Sequence, residues 1–164
     1  MALEVATAVK EAATAGHVSA LAKLLAAHGG AALRMDGVPA ELTSLHLAAA
    51  SGSVEAVRFL LAPPVESDAR AARINNFTPL HSAAMQGHAA VCELLLAAGA
   101  EVNIQTKPQG YAPLHSAAFA GHIETIRVLL AHGADRALVN YRNELPADTA
   151  RRTGQAEAAR VLEA

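Results

Sequence analysis

The sequence predicts an all-α solenoid built from about five helix-turn-helix units, and three observations carry that reading. Thr-Pro-Leu-His-Ser-Ala-Ala at Thr78–Ala84 returns as Ala-Pro-Leu-His-Ser-Ala-Ala at Ala112–Ala118, with a looser copy, Thr-Ser-Leu-His-Leu-Ala-Ala, at Thr43–Ala49. The histidines of these copies, His46, His81 and His115, stand 35 and then 34 residues apart, a period that marks stacked repeats rather than one globular core. Hydrophobic residues make up 52% of the chain, but aromatics only 3%, with no Trp. A continuous core must then be built from Ala, Leu and Val, which suits thin helices packed closely.

The first helix of each unit is read from its ends. Thr78 is a good N-cap and Pro79 suits the first helical position. Gly87 stops that helix, because glycine takes the left-handed conformation needed there. Aligned on the stop glycine, the units place Gly16, Gly52, Gly87, Gly121 and Gly154 at spacings of 36, 35, 34 and 33 residues. Four residues before each stands Ala12, Ala48, Ala83, Ala117 or Ala150, where only a small side chain lets two helices approach.

The second helix is read from its stripe. Two, five and eight residues after the glycine come Val18, Leu21 and Leu24 in unit one, Val54, Val57 and Leu60 in unit two, Ala89, Cys92 and Leu95 in unit three, Ile123, Ile126 and Leu129 in unit four, and Ala156, Ala159 and Leu162 in unit five. Steps of three put these on one helix face. Gly99-Ala100 and Gly133-Ala134 close the second helices of units three and four. The whole chain is therefore expected to be one domain, with units at about 1–34, 35–70, 71–105, 106–138 and 139–164.

The outer units depart from the pattern in ways that suit caps, since an end unit has no neighbour to cover it. In unit five, Glu163 stands where the others have Leu25, Leu61, Leu96 and Leu130, and Arg151 replaces a small residue. In unit one, Lys10 occupies the histidine position. Two junctions are irregular: the stretch around Gly29-Gly30 is lengthened, and Pro63-Pro64 followed by residues 66–73 replaces Gly-Ala. Both are read as loop variation, because lengthening a surface loop costs little.

These motifs are the ones that carry the ankyrin-repeat signature, and the chain closely resembles that family. Unit three reads T-P-L-H-S-A-A-M-Q-G-H and then L-L-L-A-A-G-A-E-V-N; unit four reads A-P-L-H-S-A-A-F-A-G-H and then V-L-L-A-H-G-A-D. Ser44 for the motif proline, Ala112 for the motif threonine and Asp148 for the motif histidine depart from it, and are expected to weaken individual caps only. The resemblance implies L-shaped units of two antiparallel helices with a projecting loop or hairpin, stacked into a curved solenoid. It also implies a binding module rather than an enzyme, with partners held on the concave side by loop tips and first helices. The motif histidine is implied to bond the adjacent loop. Asn103 resembles the asparagine hydroxylation context of animal ankyrin repeats, but it is also an ordinary part of the repeat loop.

The remaining chemistry is sparse. The formal net charge is −2, with no basic face of the kind a nucleic-acid binder shows, and Arg151-Arg152 reads as a solvated helix end. Metal ligands must converge, whereas His46, His81 and His115 fall in line along the stack; His88 and His122 likewise follow from the repeat. The single cysteine, Cys92, lies on a buried stripe, which does not suit a catalytic thiol. Phosphate-loop, Gly-x-Ser-x-Gly and His-Glu-x-x-His motifs are missing. No apolar run reaches the ~18 residues of a membrane span. The start, Met-Ala-Leu-Glu-Val, carries an acid where a secretory signal carries bases, so a cytoplasmic or nuclear location is expected.

The five aromatics are more telling. Phe77 and Tyr111 precede the motif threonine position at the loop tip, Phe119 and its counterpart Met85 stand two residues before the stop glycine, and Tyr141 falls in the loop before unit five. All but Phe59 map to positions the repeat leaves open, and Tyr, Phe and Met are enriched at interface cores; the alternative is loop packing, in which Phe77 and Tyr111 cover neighbouring units. Asn76, Gln86, Gln109, Arg142 and Asn143 surround them as a polar rim. The expected function is a non-catalytic adaptor, inhibitor or chaperone-like subunit that grips another protein through this surface. The chain is expected to be a monomer with no cofactor, metal, nucleic acid or membrane partner. The alternative, an accessory or metal-dependent enzyme subunit, requires ionisable groups converging in one cavity. An engineered consensus binder is opposed by the irregular junctions.

Overall fold

The computed structural model describes residues 2–34, 43–63, 65 and 74–164. Within them the chain forms ten α-helices in five antiparallel pairs: α1 (Ala2–Thr14) with α2 (Val18–Arg34), α3 (Ser44–Ser51) with α4 (Val54–Leu61), α5 (Pro79–Gln86) with α6 (Ala89–Ala97), α7 (Pro113–Ala120) with α8 (Ile123–Ala131), and α9 (Pro146–Arg152) with α10 (Ala156–Glu163). A single 3₁₀ turn spans Ile74–Asn76, and no strand occurs among the described residues.

The pairs stack so that α1, α3, α5, α7 and α9 form one row and α2, α4, α6, α8 and α10 a second row behind it. Ala48, Ala83, Ala117 and Ala150 are fully buried, so the row of first helices is close because nothing larger than a methyl group separates neighbours. The stripe is buried at most positions: Leu21, Val57, Leu60, Cys92, Leu95, Ile126 and Leu129 are fully buried and Ala159 and Leu162 nearly so, while Val18, Val54, Ala89 and Ile123 are half-buried; in the outer units Leu24 is only half-buried and Ala156 is exposed. Each fully buried Leu or Ile contributes about 1.5–3 kcal/mol of transfer free energy. Leu45, Leu80 and Leu114 do the same for the front row.

The glycines that end the first helices of the inner units also make room for a side chain of the next unit. Gly52 and Gly87 sit at φ 74° and 78°, and a Cβ there would lie 2.6 Å from the rings of His88 and His122 respectively. Those rings reach back one unit: His88 Nε2 donates to the Ala50 carbonyl at 3.0 Å and His122 Nε2 to the Met85 carbonyl at 3.2 Å. At Gly121 the neighbour is Gln155 instead, and Thr153 donates its hydroxyl to the Phe119 carbonyl at 3.0 Å.

The last unit has a charged outer side. Arg151, in place of the usual small residue, pairs with Glu163 and with Asp148 on the outer side of unit five. The junctions differ from each other. Helix α2 breaks at Gly29 (φ 77°) and then resumes to Arg34, a continuation that the sequence reading left as junction. The rest of that insert and most of the Pro63-Pro64 insert lie outside the described residues. No helix among the described residues is long and apolar enough to cross a membrane.

Candidate functional site

The site is framed by three histidines whose two ring nitrogens have different tasks. The Thr78 backbone N–H donates to His81 Nδ1 at 3.2 Å, and the Thr78 hydroxyl donates to the same nitrogen at 2.8 Å. Nδ1 therefore accepts, and the proton sits on Nε2, which donates to the Tyr111 carbonyl of the next unit at 3.0 Å. His46 repeats this with Thr43 (N–H 3.3 Å, hydroxyl 2.6 Å) and the Phe77 carbonyl (3.1 Å). His115 repeats it with the Ala112 N–H (3.2 Å) and the Glu144 carbonyl (3.1 Å), without the hydroxyl that alanine lacks. Each histidine thus caps its own helix and holds the loop of the following unit, as the resemblance implied.

Both nitrogens being committed, these rings are neutral crosslinks and are not placed to ligate a metal or move a proton. Burial pushes His81 down to about 4 and shifts His115 in the same direction. Cys92, on α6 in the second row, is pushed by burial up to about 12, so its thiol stays protonated. No group of three or more His, Cys, Asp or Glu side chains is placed to hold a metal ion among the described residues.

Asp148 corrects one expectation. Its Oδ2 accepts the Leu145 N–H at 3.1 Å, the cap that histidine Nδ1 makes elsewhere, and Oδ1 turns to Arg151 at 2.6 Å. The histidine of an inner unit needs two nitrogens because it serves two units; at Asp148 the inward half alone is required. The departure from the motif keeps the cap rather than weakening it.

Between the first helices of units three and four lies an open groove of about 380 Å³. Met85 and Phe119, in the last turns of α5 and α7, form its apolar walls and are 36% and 44% exposed. His81, His115 and Ser116 lie along the helices, and Phe77 and Tyr111 stand at the loop end with Asn75, Thr106 and Gln109. The structure thus gathers Phe77, Met85, Gln109, Tyr111 and Phe119 from the ten sequence candidates. Gln86 is exposed beside Met85 but does not line the groove. Asn76 sits at φ 60° and turns its amide towards the Gln105 carbonyl at 3.4 Å. Asn143, at φ 58°, shapes the turn after Tyr141. Tyr141 borders the groove by packing edge-on against Tyr111 at 6.0 Å, and Arg142 lies over the Tyr141 ring at 5.2 Å with its Nε on the phenol oxygen at 2.5 Å.

Phe77 and Tyr111 are half-buried, as the loop-packing alternative requires. The Phe77 ring stacks between His46 (6.2 Å) and His81 (5.4 Å), and Tyr111 meets His115 edge-on at 5.9 Å. Both rings cover the histidine crosslinks as well as lining the groove. The sequence reading missed Asn75, Thr106 and Ser116 as lining residues. Ser116 was findable, because it stands three residues before Phe119 on a helix and so shares its face.

The loop tips are laced into a firm rim. The Lys107 N–H donates to the Asn75 carbonyl at 2.7 Å and the Tyr141 N–H to the Gln109 carbonyl at 2.9 Å. The Gln105 amide donates to the carbonyls of Gly110 (2.7 Å) and Val139 (2.9 Å). Asn140 accepts the N–H groups of Arg142 and Glu144 at 2.8 and 3.1 Å. The Glu144 carboxyl is held below its ordinary range by the Asn140 amide, with Arg152 assisting at 2.8 Å. Asn103, farther along the loop, is also bound into the frame, donating to the Gly133 carbonyl at 3.2 Å and accepting the Asp135 N–H at 2.8 Å.

A family model described as ankyrin repeats (3 copies) matches residues 45–140 and, in an overlapping register, residues 80–163, well over half of the chain. With ten helices in five stacked pairs and a histidine crosslink at the period of the motif, the chain belongs to the ankyrin-repeat family.

Proposed function

We propose that this protein is a non-catalytic interaction module that holds a protein partner in the groove between α5 and α7. Ankyrin repeats generally mediate protein–protein interaction and are generally not catalytic. The observation that carries the reading is the pair Met85 and Phe119: two large apolar side chains left open on adjacent helices, facing an unfilled groove whose rim is rigid. Apolar anchors surrounded by fixed polar groups are what a recognition surface requires. On this reading the chain acts as an adaptor, inhibitor or chaperone-like subunit, as a monomer, and the walls at Met85 and Phe119 supply most of the affinity.

The test is the double substitution Met85→Ala with Phe119→Ala. Neither side chain is buried, so the urea midpoint should correspond to a change within about 1 kcal/mol. Capture of the partner from a lysate of the source cells should fall by at least about tenfold, as for a hot-spot pair. Undiminished capture by a fully folded double variant would place the binding surface elsewhere.

A further inference from the structure

The groove also carries information about what fills it. Its floor holds Ser116, a residue only 3% exposed, which lines the groove. A hydroxyl on the floor of an open groove can bond a main-chain group of a ligand that enters it. Its walls at Met85 and Phe119 are apolar and open. Its rim is electrically one-sided. In the three loop tips, 74–77, 105–111 and 139–144, the charged residues are Lys107, Arg142 and Glu144. The Glu144 carboxylate is already taken by Asn140 and Arg152. Arg142 rests on the Tyr141 ring and feels Glu144 only at a distance, without an ion pair to it, and the exposed Lys107 forms no ion pair among the described residues, so two cations face one carboxylate that is already engaged.

We propose that the occupant is an extended segment of a partner protein carrying one bulky apolar side chain with a carboxylate beside it. The apolar side chain enters between Met85 and Phe119, a main-chain group of the segment bonds Ser116, and the carboxylate meets Lys107 and Arg142 at the rim. This rests on the groove being the binding surface, and charge complementarity selects the acidic class among the segments that an apolar groove admits. A nucleic acid would also meet the positive tips, but it would leave the apolar Met85 and Phe119 walls unmatched.

The test is selection of a displayed random 12-residue peptide library against the full chain, followed by affinity measurement with synthetic copies of the enriched peptides. Enrichment of an apolar residue flanked by Asp or Glu is expected. Binding should fall by at least about tenfold in Lys107→Glu with Arg142→Glu, and that loss should shrink at 1 M salt, where charges are screened within about 3 Å. Phe119→Ala should lose a similar factor at every salt concentration. Ser116→Ala should lose a smaller one, and thermal melts of all variants should show a folded chain. Peptides that depend on Phe119 but ignore the charge reversals would overturn the acidic class while leaving the groove as the site. Peptides indifferent to Phe119, or no enrichment, would overturn both. Binding of single-stranded oligothymidine that the charge reversals abolish, or self-association that Phe119→Ala abolishes, would replace the segment with another occupant and overturn the proposal.

Discussion

The face between α5 and α7 and the equivalent face between α7 and α9 are built on the same backbone lattice, yet only the first is an apolar groove. The position two residues before the stop glycine accounts for the difference. Met85 and Phe119 occupy it on α5 and α7, whereas Arg152 occupies it on α9. Arg152 reaches to the Glu144 carboxylate at 2.8 Å, so an ion pair stands where the neighbouring face has open space. The lattice residues, buried and repeated, set the spacing. The position two residues before the stop glycine, which varies from helix to helix, sets the character of the open face.

The largest effect should come from the lattice that both faces share. Leu114 is almost fully buried on α7, the helix common to the two faces, and Leu114→Ala should destabilise the protein by about 2–5 kcal/mol, read from urea denaturation. An unchanged midpoint would mean α7 does not carry the stack.

The histidine crosslinks should give a pH dependence of comparable size. His81 titrates near 4 in the folded chain against 6.5 as the ordinary value, so the unfolded chain takes up its proton first as pH falls. The stabilisation is complete above pH 6.5 and is lost between there and about 4, at a cost of about 3 kcal/mol, with His115 acting in the same direction. Denaturation at several pH values between 7.5 and 4 should show this loss, and His81→Gln should flatten it.

How much of this was legible in the chain depends on the distance over which each feature acts. The helix caps, the small residues between helices and the buried stripe are local and periodic, so Thr78, Ala83 and Cys92 were placed correctly from spacing alone. Phe119 and Met85 were legible for the same reason, as exceptions to a periodic rule. The lacing of the loop tips was not legible, because Gln105 meets Val139 only after two units have stacked. Asp148 looked like a lost motif, since only the geometry shows a carboxylate making the histidine's inward bond. For Phe77 and Tyr111 the sequence leaves partner binding and loop packing both open, because the crosslinks they cover span two units.

A smaller effect sharpens the cap comparison. Ala112 is the one cap of the three Leu-His copies without a hydroxyl, and His115 lacks the second donor that Thr43 and Thr78 supply to their histidines. Ala112→Thr should stabilise the protein by about 0.5–1 kcal/mol, seen as a raised urea midpoint. A lowered midpoint would show that the site has no room for the methyl and hydroxyl groups its equivalents hold.

The groove itself is tested most directly by placing a photoreactive benzoyl-phenylalanine in place of Phe119 in one sample and in place of Arg127, exposed on α8 in the opposite row, in another. Irradiated with the same lysate, the first should crosslink one partner protein and the second should not. Equal crosslinking from both positions, or crosslinking from residue 127 alone, would contradict the assignment of the α5–α7 groove as the surface that holds a partner.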